Sequence, residues 1–160
     1  MSDVNPYEKF LDGRPLETIL GSTEHELVKY LEAIGFERTT KSPAPGKWSP
    51  AEIVCHLADC EIAFAFRLRQ TLAEDDHVIQ PFDQEKWAVT YPGITAVQAL
   101  ATFGSLRKWN LALIAKGLAS SPNKPVSHPE RGKMTFKTIV ETMAGHDINH
   151  LTQLKRIAES

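Results

Sequence analysis

A chain of 160 residues with 42% hydrophobic composition is long enough to bury one core and too short for two comfortable ones, so a single domain over 1–160 is expected. Its 18 basic and 20 acidic residues leave a formal charge of −2 and are mixed along the chain, which excludes the basic stripe that holds nucleic acid. The opening Met1-Ser2-Asp3-Val4-Asn5-Pro6 is not a basic segment followed by an apolar core, and no window has the apolar length that spans a bilayer, so a cytoplasmic protein with no membrane partner is expected.

The first helix is expected from about Pro15 to Ile34, with apolar residues at Leu16, Ile19, Leu20, Leu27, Leu31 and Ile34. Gly21 interrupts it, and Thr23 with Glu26 has the spacing of a capping box, so the element reads as two pieces that Gly35 finally ends. A proline- and glycine-rich loop, 41–47, follows. The second helix has the clearest start in the chain: Ser49 as N-cap, Pro50 at the first helical position and Glu52 closing a capping box, with the helix running to about Ala73. On it, Cys60, Ala63 and Arg67 share a stripe with His56, and Asp59 lies one turn on and slightly aside. Cys55 and Cys60 sit about 140° apart around the axis. They cannot bridge each other, and they read as small packed residues, Cys60 facing much as His56 does.

Some twenty residues, Glu74 to Gly93, then form a loop whose Phe82, Trp87 and Tyr91 argue for an ordered lid packed over something. A third helix starts at Thr95, boxed by Gln98, and runs through Phe103, Leu106, Asn110, Ile114 and Leu118. A second loop, 120–134, carries His128 before the last helix opens near Thr135. No stretch shows sustained alternation, so no strand is expected. Four amphipathic helices pack best as an all-α four-helix bundle, and the long link between the second and third permits a crossover.

The last helix carries the chemistry. His146 and His150, four residues apart, leave the same face one turn apart, and that face continues through Ile139, Met143, Gln153 and Ile157 toward the interior. Two hydrogen-bonded core histidines are the plain alternative. A metal site needs a third ligand from another helix, and His56 is the candidate. His146-Asp147-Ile148-Asn149-His150 superficially matches the H-E-x-x-H zinc-protease helix, but its aspartate is one methylene short, no third ligand follows, and no edge strand is expected to hold a peptide.

Gly46-Lys47-Trp48-Ser49, His56-Leu57-Ala58-Asp59 and Ala144-Gly145-His146 with His150 and Gln153 together resemble the DinB-like superfamily. Arg67 through Leu72, Glu74, Ile79 through Trp87, and His128-Pro129-Glu130 with Gly132 resemble its YfiT-like branch. The resemblance implies a four-helix bundle that holds a divalent metal, usually zinc or nickel, on three histidines, here His56, His146 and His150. It also implies frequent homodimers and either transfer of a low-molecular-weight thiol such as bacillithiol or metal-dependent hydrolysis.

Three imidazoles leave zinc a further position for water or a substrate group, and a metal-bound thiolate needs no strong base. With the resemblance, this open site makes transfer of a bacillithiol-like thiol to an electrophilic small molecule the expected function. A metal-dependent hydrolase is the alternative, and a non-catalytic metal-binding bundle comes third. Asp59 is assigned as orienting or proton-accepting carboxylate and Arg67 as anchor for an anionic group; His128 and Trp87 are placed as loop-borne contacts to the co-substrate.

Overall fold

The computed structural model describes residues 4–160. Its long helices are α1 (Leu16–Ile34), α2 (Pro50–Ala73), α4 (Ala96–Ser120) and α5 (Phe136–Ala158), with a short α3 (Gln84–Ala88) and a hairpin of β1 (Pro125–His128) and β2 (Gly132–Thr135) between them. This is the expected four-helix bundle. Around its section α1 packs on α4 and α5, and α2 packs on the same two, so the consecutive helices α1 and α2 lie diagonally opposite with little contact. No helix among the described residues is long and apolar enough to cross a membrane.

Helix starts follow local chemistry. Ser49 accepts from Glu52 N while the Glu52 carboxylate accepts from Ser49 N at 2.7 Å; Thr95 with Gln98, and Thr135 with Thr138, repeat the device. Gly35, at φ 87°, ends α1 in a conformation that costs a side-chain-bearing residue more.

Three expectations are corrected. α1 is one continuous helix: Thr23 is buried, and its hydroxyl donates to Ile19 O and to Asp147 Oδ2, so it serves a partner on α5 and caps nothing. The second loop contains the antiparallel hairpin, Val126 opposite Met134, too short for its alternation of buried and exposed residues to stand out. The long loop after α2 holds α3, capped by Asp83, and its Val78 forms a parallel bridge with Ser127, with Ile79 N donating to Ser127 O.

Two apolar clusters fill the bundle. One gathers Ile19, Leu20, Phe64, Leu68, Ile114, Phe136 and Met143; the other gathers Leu27, Leu31, Val54, Leu57, Phe103 and Leu154. Along every long helix the two clusters occupy opposite ends. Between them lies a buried polar layer: Thr23 on α1, His56 and Glu61 on α2, Arg107 and Asn110 on α4, and His146, Asp147 and His150 on α5.

Arg107 is the centre of that layer. It donates to Glu61 Oε1 at 2.6 and 2.9 Å, to Asp147 Oδ2 at 2.7 Å and to Leu20 O at 2.9 Å, while Asn110 Nδ2 donates to Glu61 Oε2 at 2.8 Å. Burial works against the guanidinium charge, but Asp147 and Glu61 outweigh it and hold the group above its ordinary pKa. Removing one partner leaves buried charge without compensation, which typically costs about 3–5 kcal/mol. Arg107→Met is expected to lower unfolding free energy by that order, measured by urea denaturation; a change under about 1 kcal/mol would show the network carries no such weight.

Candidate metal centre

The capped start of α2 sets His56 two turns into that helix, and α5 presents His146 and His150 from the facing side. The structure brings these three expected residues together. His56 Nε2 lies 3.0 Å from His146 Nε2, which lies 3.1 Å from His150 Nε2, and all three imidazoles are buried. Ligand atoms of the three sit within 4.8 Å of one another, close enough to share one ion. Two ring nitrogens therefore approach the same His146 nitrogen, which as one atom holds either a single proton or a single lone pair. Hydrogen bonding satisfies this grouping poorly, whereas a cation accepts all three lone pairs.

The surroundings prepare those lone pairs. Gln153 Oε1 only accepts, so its 3.0 Å contact with His150 Nδ1 puts the proton there and leaves Nε2 free. Trp48 packs on His56 at 4.9 Å between ring centres, and Tyr7 stands edge-on to His146 at 5.0 Å. In this buried setting burial, then His150, pushes His56 down to about 3; burial, then the neighbouring imidazoles and Arg107, pushes His146 well below its ordinary value; burial also lowers His150. All three are neutral at pH 7, the form that ligates metal.

Cys60 faces the site, its Sγ 3.5 Å from His56 Nε2. Cys55 is buried apart from it, as a packed small residue. Arg67 lies over the rings of Phe64 and Phe82 and donates to Gln80 O at 3.2 Å. It walls a cavity of about 200 Å³ that also reaches His56, Cys60, His146, His128 and Arg131. His128 Nδ1 accepts from Glu130 N, so its Nε2 carries the proton, and burial together with Arg131 and Arg67 lowers its pKa.

Asp59 is engaged elsewhere: its Oδ2 accepts from the Tyr91 hydroxyl at 2.9 Å, and Tyr91 packs on Trp48, which in turn packs on His56. Burial raises its pKa, with the Tyr91 bond acting in the opposite sense. Trp87 packs on Phe82 with the rings tilted and their centres 4.5 Å apart, and so backs the cavity wall from the lid. A second cavity of about 660 Å³ lies on the His150 side against Trp48, Gln153 and Arg156.

Sequence reasoning missed Tyr7, which lines both cavities, and Gln153 as the fixed acceptor for His150. A signal for Tyr7 existed in Gly145, a mid-helix glycine where any Cβ would strike the Tyr7 backbone.

Fold and site together define an α-helical bundle protein with a buried three-histidine centre. The profile of the DinB superfamily matches residues 19–154, and the chain belongs to that superfamily. A protein of Oceanobacillus iheyensis provisionally named a metal-dependent hydrolase is 24% identical over 124 residues, covering 77% of this chain and 72% of the relative. One of Bacillus cereus with the same provisional name is 24% identical over 131 residues, covering 81% and 76%. Among solved structures, YfiT from Bacillus subtilis, described as a probable metal-dependent hydrolase with an unusual four-helix bundle topology, superposes with a TM-score of 0.77 at 21% identity over 88% of this chain and 84% of that one. At that identity the likeness establishes the fold.

The lowered histidine pKa values give a pH prediction for the metal-free protein. Below the ordinary value near 6.5 the unfolded chain takes up protons that the fold refuses until about 3, so stability present above 6.5 is lost as pH falls through that window. The urea midpoint should be lower at about pH 5 than at about pH 7, with the difference reduced in His56→Gln; equal midpoints would contradict the neutral buried cluster.

Proposed function

We propose that the protein holds one divalent ion on His56, His146 and His150 and hydrolyses a small substrate that carries an anionic group. The observation that carries this reading is the convergence of three buried, neutral Nε2 atoms beside a cavity with two arginines. The provisional names of the relatives point the same way. A divalent ion in such a set supplies Lewis acidity and lowers the pKa of a coordinated water to about 7.

The chain's own residues do the rest. Arg67 and Arg131 attract the anionic group, and the planar guanidinium of Arg67, braced by two rings, presents N–H donors in a fixed plane. Phe64 and Phe82 exclude water and strengthen those contacts. His128 Nε2–H is placed in the same cavity to donate to an oxygen that gains charge. Glu130, lining it too, is the carboxylate available to take a proton, since Asp147 and Glu61 are committed to Arg107.

Thiol transfer stays as a second reading for one reason. Asp59, the carboxylate assigned to proton transfer from sequence, is bonded to Tyr91, and a bound thiolate from a bacillithiol-like compound would need no base, while the same arginines suit an acidic thiol. Zinc and nickel both suit three imidazoles. Homodimerisation is also proposed, through apolar side chains left exposed on the paired helices α2 and α4, namely Ile62, Phe66 and Trp109.

Metal-loaded protein should hydrolyse small esters or amides bearing a carboxylate, with turnover and stoichiometric metal both lost in His150→Ala. Arg67→Met should raise KM for the anionic substrate on the order of 10- to 100-fold, the worth of a charge-assisted contact, and spare neutral analogues. Turnover that requires an added low-molecular-weight thiol and an electrophile would select the second reading; full metal content with no turnover in either assay would leave a non-catalytic bundle. Sedimentation at high micromolar concentration should give twice 17.8 kDa, and a monomer mass there would remove the dimer.

A further inference from the structure

Tyr7 comes from the segment before α1, and with Gln84 it lines both of the cavities that adjoin the histidines. The division between those cavities runs across the histidine cluster itself: His56 and His146 open on the one of about 200 Å³, His150 on the one of about 660 Å³. Gln84 is exposed on the lid, whereas Tyr7 is half-buried and its ring stands edge-on to His146 at 5.0 Å. Backbone contacts hold Tyr7 in that place. Its N–H donates to Asn5 Oδ1 at 3.0 Å and its carbonyl accepts from Phe10 N at 3.0 Å, in a segment that packs on α5. A Cβ on Gly145 would lie 2.4 Å from Tyr7 O and 2.8 Å from Tyr7 Cβ, so a glycine one residue before His146 is what lets this segment come so close. The two compartments differ in what they admit. A cavity of about 150 Å³ holds benzene, so one of about 200 Å³ takes a group of roughly six to eight non-hydrogen atoms, and Arg67 and Arg131 make that group an anion. The larger has the volume of a whole small-molecule site and offers Trp48 and Ile157 beside Asn149.

We propose that Tyr7 sets the specificity of the site. Its ring is the wall that confines the arginine-anchored group to the smaller cavity, so that group is a compact anion about the size of succinate, while the bulkier remainder of a longer substrate lies on the His150 side. The proposal rests on the reading that the three histidines hold an ion beside an anion site. A wall acts through its volume, so the ring carries the effect and the hydroxyl is dispensable. Substituting a small side chain joins the two compartments and admits anions that the native cavity is too small to hold.

Cobalt-loaded full-length protein tests this without requiring turnover, through the shift of the visible cobalt bands on titration with succinate and with diphenate, a two-ring dicarboxylate. Wild type should bind succinate at least about tenfold more tightly than diphenate, the order that overfilling a packed site produces. Tyr7→Ala should tighten diphenate binding by about tenfold and change succinate binding by less than about threefold, at unchanged metal content, whereas Tyr7→Phe should match wild type. Loss of packing alone would weaken both anions. Tyr7→Leu covers a Tyr7→Ala that does not fold, and it too should gain affinity for diphenate. Equal affinities in the wild type, no gain for diphenate in the Ala and Leu variants, or a gain that Tyr7→Phe reproduces overturns the proposal and leaves the proposed hydrolysis standing. Wild type that binds cobalt while neither dicarboxylate shifts its bands overturns the anion site and the wall together; wild type that binds no cobalt overturns the metal reading and the proposal with it.

Discussion

The buried guanidinium of Arg107 is the constraint on which the arrangement of this bundle depends. A charge at 3% side-chain exposure is tolerable only if every donor is met, and here the partners come from all three other long helices: Leu20 O on α1, Glu61 on α2 and Asp147 on α5. A hydrophobic stripe tolerates a small slide of one helix past another, but hydrogen bonds of 2.6–2.9 Å do not. Glu61 is the residue after Cys60, and Asp147 the residue after His146. Fixing those two carboxylates therefore fixes the rotation and height of both helices that supply imidazoles.

The same network bears on charge at the site. Two carboxylates and one guanidinium leave a formal excess of one negative charge, adjoining three neutral, buried imidazoles. A cation entering that cluster meets both lone pairs and a favourable field, which is stronger there than it would be in water. Asp147 also explains why the zinc-protease likeness of His146-Asp147-Ile148-Asn149-His150 misleads. Successive helical residues point about 100° apart, so while the histidines face the centre, the aspartate faces Arg107 and Thr23 and is spent on structure.

How much of this was legible in the sequence differs by the range of the interaction involved. The capping boxes at Ser49 and Thr95, Gly35 and the i, i+4 histidines act within a turn or two, and each is found where the sequence placed it. The link from His56 to His146 crosses 90 residues, yet it was legible because both helices have strong apolar faces that the histidines share. Thr23 was misread because local spacing offered it a cap, whereas a partner 124 residues away offered burial and a carboxylate. Asn110 was read only as part of the third helix's run and Arg107 drew no reading, although both are buried on the stripe of Phe103 and Ile114; their partners on other helices could not be named from one chain. The hairpin strands have four residues each and α3 has five, too few for a period to declare itself.

The three histidines and the wall of the cavity beside them are held by different parts of the molecule. The histidines stand on helices whose register is locked by Arg107, while the wall facing them is built largely from connections: Phe82 and Gln84 from the lid, His128 and Arg131 from the hairpin and its turn. These connections are tied to each other through Ile79 N to Ser127 O at 2.8 Å and Ser127 N to His77 O at 3.0 Å, and to α2 through Arg67 to Gln80 O. The lid is thus an ordered third layer over the bundle. Because Arg67 is braced by Phe82, and Phe82 in turn by Trp87, a change in the lid alters how the Arg67 guanidinium is held while the imidazoles stay on their helices. Two loops can therefore vary this cavity wall on their own, since the register of the helices that bear the histidines is set inside the bundle by Arg107.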